Sequence, residues 1–205
     1  MNKYWKGLIA LLVLSLLLTG CGAGGSKDET TPTEPTKPGL AEHLSGNLSM
    51  GDQIPKMTFS TSDGQLLTMS QLLEEKKAVV LNFWFADCMW CVKEFPVMEV
   101  AYQRFREDVE IVALNPYDSN EVIAAFKQEH SLSFPMANHS IDLANAFGVR
   151  GYPTTVVIDR EGKICLIHAG AITDVKVFDK LFAALTAENY TSRVFGNISE
   201  FTEAE

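Results

Sequence analysis

The hydrophobic pattern of this chain changes period every ten to twenty residues, and each change marks an element. Residues 78–85 are apolar except for Asn82, which predicts a central strand buried on both faces. Residues 92–107 instead place Phe95, Met98, Tyr102 and Phe105 on one helical stripe. A second buried strand follows at 110–114 and is stopped by Asn115-Pro116. Helical patterns at 119–129 and 140–147 come next, the latter closing at Gly148. Residues 154–158 and 164–167 read as strands joined through Arg160-Glu161-Gly162-Lys163, and 174–187 as an amphipathic helix. Upstream, residues 57–59 and 66–68 flank Asp63-Gly64, a hairpin signature, and Ser70 with Glu74 opens a short helix. The order predicts an α/β fold: a central mixed β-sheet flanked by helices, with an N-terminal β-hairpin extension.

That pattern confines the folded part to residues 50–188. The first twenty residues follow a different logic. Lys3 and Lys6 precede an apolar run from Leu8 to Leu18 interrupted only by Ser15, too short to span a bilayer but suited to a signal peptide. Leu18-Thr19-Gly20-Cys21 then resembles the bacterial lipobox. That resemblance implies cleavage before Cys21 and acylation of its sulfur, palmitate included, which holds a protein on a membrane when two chains act together. Residues 21–49, rich in Gly, Pro and Thr, predict a disordered tether that reaches about 30 Å as a random coil. Residues 189–205 are acidic and poor in apolar groups, and predict a loose tail.

Charge narrows the partners. The net charge is −9, and losing Lys3 and Lys6 with the leader takes it to −11. An acidic surface of this kind disfavours nucleic acid and anionic lipid as direct ligands.

The four cysteines sort by context. Cys21 belongs to the lipobox, Cys165 to a predicted strand where it packs as a small hydrophobe, and Cys88 and Cys91 form a C-x-x-C. A loop this short restrains the unfolded chain little, so the pair reads as reactive rather than as a staple. It sits where a buried strand turns into a helix, whose N-terminal N–H groups and dipole favour a thiolate. Cys88 is then the nucleophile and Cys91 the resolving thiol. A zinc site would need a second ligand pair that the four histidines and Cys165 do not supply, so no metal is expected. Haem attachment would need His after Cys91, where Val92 stands. A peroxidatic cysteine would need a Pro-x-x-x-Thr-x-x-Cys surround, absent from residues 82–88.

The stretch Asn82-Phe83-Trp84-Phe85-Ala86-Asp87-Cys88-Met89-Trp90-Cys91-Val92-Lys93-Glu94-Phe95-Pro96 resembles the active site of the TlpA/ResA-like extracytoplasmic thioredoxins. Gly151-Tyr152-Pro153-Thr154 resembles their cis-proline loop. The resemblance implies a thioredoxin fold with Pro153 cis and facing the cysteines, and a client groove shaped by Tyr152 and Pro153. It makes Glu94 the active-site acid, acting on Cys91, and needs no cofactor. The implied partners are exported, disulfide-containing client proteins and an integral-membrane thiol donor, at the extracytoplasmic face of a bacterial membrane. The client stays open among apocytochrome c, a methionine sulfoxide reductase and others. Trp90, between the cysteines, is expected to meet the client, whereas Trp84 packs beneath the site. Pro96 is expected to kink its helix. Asp87 departs from the family's usual Trp; a carboxylate there disfavours the Cys88 thiolate and tilts the pair toward reduction. Two other readings use the same scaffold: a thiol oxidase or isomerase, and a non-catalytic binding lipoprotein.

Overall fold

A computed structural model describes residues 47–138 and 140–202. The signal segment, Cys21 and the tether to residue 46 lie outside them. Five strands form one sheet in the order β5-β4-β3-β6-β7: β3 (Ala78–Phe83), β4 (Val109–Leu114), β5 (Met136–Ala137), β6 (Thr154–Asp159) and β7 (Ile164–Ala169). β4 lies parallel to both β3 and β5, whereas β6 runs antiparallel to β3 and β7. The expected mixed sheet is therefore present.

Every residue of β3 is buried, because helices cover both faces of the sheet. Its side chains alternate accordingly. Ala78 and Val80 join a core with Met98 of α2 (Met89–Phe105), Ile123 of α3 (Asn120–Glu129) and Phe178 of α5 (Val175–Thr186). Val79, Leu81 and Phe83 pack with Leu72 of α1 (Met69–Glu75) and Leu143 of α4 (Ile141–Ala146). The hairpin of β1 (Thr58–Ser60) and β2 (Leu66–Thr68) joins this second core through Phe59. It also docks on β5, where the Ser62 N–H donates to the Met136 carbonyl at 2.8 Å.

Three local features differ from the sequence reading. Thr68, not Ser70, caps α1: it keeps an extended backbone and its hydroxyl accepts from the Gln71 N–H. β5 is two residues long, too short to show a period, and exists because β4 offers it a parallel edge. The third difference is larger. The segment expected to be a loose tail is packed onto the domain. Tyr190 and Ser192 donate their hydroxyls to the buried Asp159 Oδ2 at 3.0 and 2.6 Å. The Phe195 N–H donates to the Cys165 carbonyl at 2.8 Å. Phe195 and Phe201 are buried, with ring centroids 5.0 Å apart, the latter on a 3₁₀ turn over Ile198–Phe201. Two buried aromatic rings and a satisfied buried carboxylate outweigh the acidic composition of the segment.

Phe195→Ala should therefore lower unfolding free energy by about 3–5 kcal/mol in urea titrations. A loss under about 0.5 kcal/mol, the surface-substitution range, would mean the segment is not part of the folded unit.

Candidate active site

The site begins where β3 leaves the sheet. The Trp84 N–H still reaches the Leu114 carbonyl at 3.1 Å, but beyond it the chain turns away. Trp84 is fully buried, its ring between Phe95 at 5.1 Å and Phe126 at 4.6 Å between centroids. It packs beneath the turn as expected and presents nothing to a client.

Cys88 is the N-cap of α2 and is bonded to Cys91 as a disulfide. Its sulfur accepts the Cys91 N–H at 3.2 Å, so one of the helix's unpaired donors already points at it. No acidic residue occupies the first turn of α2 to oppose a negative charge there. Cys88 retains 6% exposure and Cys91 none. Cys88 is thus the sulfur that another thiol or disulfide can reach, and Cys91 is held behind it. Asp87 is exposed, so water screens its carboxylate and weakens the effect on direction expected from its place beside Cys88.

Glu94 lies three residues beyond Cys91 on the same helix face. It is fully buried. Its Oε2 accepts from Asn82 Nδ2 at 2.9 Å, and its Oε1 accepts from the Ile172 N–H at 2.9 Å. Burial pushes its pKa up to about 7, overriding those two bonds, which act in the opposite direction. A carboxyl that titrates at neutral pH can both take and return a proton. Asn82 also donates to Thr155 Oγ1 at 3.1 Å, so the acid is linked to β6 as well as β3. α2 runs on through Pro96.

The Tyr152–Pro153 bond is cis. In the β3–β6 register Phe83 opposes Thr154, which places Pro153 level with Trp84 at the same end of the sheet as the disulfide. Thr154 Oγ1 donates to the Gly151 carbonyl at 2.8 Å, closing this turn. Met89 and Trp90 are exposed on the first turn of α2, and the Lys93 ammonium sits 4.3 Å from the Trp90 ring centroid.

Residues 115–118 form a loop of the site that no local motif marks. Tyr117 there is exposed and shares a 3.0 Å hydroxyl–hydroxyl hydrogen bond with Tyr152. Phe85 packs edge-on against both rings, at 5.9 and 5.4 Å. The available signal was positional: polar and aromatic residues directly after a buried strand, at the strand end where sites gather in open α/β sheets.

Cys165 takes no part. It is buried, its thiol donates to the Val157 carbonyl at 3.3 Å, and burial pushes its pKa up to about 12. Among the described residues, no cluster of three or more His, Cys, Asp or Glu is arranged to hold a metal.

A helix-capping disulfide over a buried acid, on this sheet, defines a thioredoxin-fold thiol–disulfide oxidoreductase. Residues 50–167 match the AhpC/TSA family, and the chain belongs to it. It is 33% identical over 129 residues to the thiol-disulfide oxidoreductase ResA of Halalkalibacterium halodurans, spanning 62% of this chain and 72% of that one. ResA of Bacillus subtilis is 32% identical over 135 residues, covering 65% and 74%. Among solved structures, a Chlorobium tepidum chain provisionally named thiol:disulfide interchange protein DsbE superposes with a TM-score of 0.60. It is 25% identical, over 68% of this chain and 99% of that one. The thioredoxin fold, the ResA-type kinship and the exchange chemistry expected from the sequence all stand.

The raised pKa of Glu94 has a consequence for stability. The folded state holds a proton that the unfolded carboxyl releases near 4.5, so stability is greatest below that pH and falls as pH rises through about 7. The drop is about 3 kcal/mol from the size of the shift. Urea unfolding of the oxidised protein should show this decline between pH 4.5 and 7.5, and Glu94→Gln should remove it. Parallel pH profiles for the two proteins would contradict the assignment.

Proposed function

We propose that this oxidoreductase works as a lipid-anchored reductant of disulfides in exported proteins. The observation that carries the reading is the order of groups at the start of α2: Cys88 at the N-cap keeps 6% exposure, while Cys91 and, one turn on, Glu94 are fully buried. In the reduced protein, the Cys88 thiolate attacks one sulfur of a client disulfide. A Cys88–client disulfide forms and the first client thiolate leaves, taking a proton from water. Cys91 then gives its proton to Glu94 and attacks Cys88 Sγ. The Cys88–Cys91 disulfide forms, and the second client thiolate leaves and is protonated. Two electrons pass from the protein to the client.

Reduction is favoured over oxidation by the same acid. A carboxylate buried on the cysteines' helix face disfavours a further negative charge nearby, and disfavouring thiolate makes a dithiol more reducing. Tyr152 and Pro153 border the client's path, with Trp90 as an exposed contact at the helix tip. The leader, the lipobox and the 21–49 tether support an extracytoplasmic, membrane-held protein. A thiol donor within the membrane would restore the dithiol.

Cys91→Ser in a bacterial host tests the scheme as a whole. The variant should sediment with membranes and carry an exported protein that a reducing agent releases, and adding Cys88→Ser should abolish capture. No mixed disulfide through Cys88 would sink the mechanism, and recovery in the soluble fraction would sink the anchor.

A further inference from the structure

One turn touches both segments that border the disulfide. We infer that residues 115–118 form a positioning element for client binding, in which Tyr117 holds Tyr152 and tunes the site toward clients with apolar residues beside the target cysteine. The inference rests on the proposed client role of Tyr152 and Pro153.

The turn is fixed at its base. The Asn115 N–H donates to the Ala137 carbonyl of β5 at 2.8 Å, and the side chain is fully buried. Asn115 Oδ1 accepts the Tyr117 and Asp118 N–H groups at 2.9 and 2.8 Å, while Nδ2 donates to Asp118 Oδ2 at 2.8 Å. A buried amide with both ends satisfied holds one conformation, because each alternative leaves a polar atom unpaired. That conformation reaches in two directions. Asp118 Oδ2 also accepts the Ala86 N–H at 2.7 Å, two residues before Cys88. Tyr117 carries its hydroxyl to Tyr152, the residue before the cis proline.

The Tyr117 hydroxyl is dispensable for folding, since it is exposed and its loss leaves no buried polar group unpaired. What the bond to Tyr152 adds is location. It holds both phenol rings, 5.7 Å apart and edge-on, against Phe85. The occupant follows from the chemistry: the reaction brings a cysteine-bearing polypeptide to Cys88, and the rings beside it are aromatic. Tyr117 and Met89 are each 60% exposed and Trp90 is 51% exposed, all on segments that carry or adjoin the disulfide. Residues flanking the client cysteine that bury against these rings gain affinity that polar ones do not.

The test is steady-state reduction of a peptide disulfide whose cysteines are flanked by Phe or Leu, and of the same peptide with Ser in those places. Tyr117→Phe removes only the hydroxyl and should raise KM for the apolar peptide about 3- to 10-fold, the worth of one hydrogen bond, with kcat held within about twofold. Tyr152→Phe should do the same, and the double variant should be no worse than either alone, as expected when both remove one bond. The Ser peptide should show a high KM with the unaltered protein and little further change. Additive effects, or equal KM values for the two peptides, would overturn the inference. If Tyr152→Ala raises KM and Tyr117→Phe does not, this inference fails while the client role of Tyr152 stands. If Tyr152→Ala leaves KM unaltered, that role fails first and this inference with it.

Discussion

The fold converges on a buried carboxyl. Glu94 ties α2 to β3 through Asn82 and to the segment before α5 through the Ile172 N–H. These elements are far apart in sequence, and the Glu94 bond to Ile172 spans 78 residues. Leaving such a group unpaired in an apolar interior would cost several kcal/mol, so the two hydrogen bonds are a condition of the fold. They do not restore the acid to ordinary strength. Desolvation of the anion exceeds what two neutral donors return, and the proton is held to about pH 7. A helix stapled this way cannot slide or rotate, so its first turn and Cys88 are held in place by a buried carboxyl two turns away.

The surroundings divide labour by polarity. Beneath the disulfide, Trp84, Phe95 and Phe126 stack into a buried aromatic floor that shares one core with Cys91. Above it, Met89, Trp90 and Tyr117 are left in solvent, where large apolar groups contribute least to stability. Exposed rings around a reactive disulfide suit a partner that arrives, reacts and leaves.

The sequence exposed the elements whose pattern is long or continuous. The apolar run of β3 and the stripe of α2 declared both strand and helix, and their junction put Cys88 at a helix start. Features made by distant partners were hidden. Tyr190, Phe195 and Phe201 follow no period, and the groups that secure their segment, Asp159 and Cys165, lie on β6 and β7. β5 has no pattern of its own and takes its conformation from β4. At the site, the C-x-x-C and the cis-proline loop could be read from local motifs and their resemblance to a family. Glu94 beside Lys93 reads locally like any solvated helix residue, and only the three-dimensional contact with Asn82 and Ile172 shows it buried. Tyr117 went unread because its partner is 35 residues away.

The proton-transfer role proposed for Glu94 depends on its ionisation within the folded, oxidised protein. Carbon-13 labelling of glutamate carboxyls, with Glu94→Gln assigning the signal, would follow that ionisation directly by NMR. A midpoint near 7 is the predicted result. A midpoint in the ordinary glutamate range, near 4.5, would mean the carboxyl is hydrated, and the proton-transfer role given to it would be wrong.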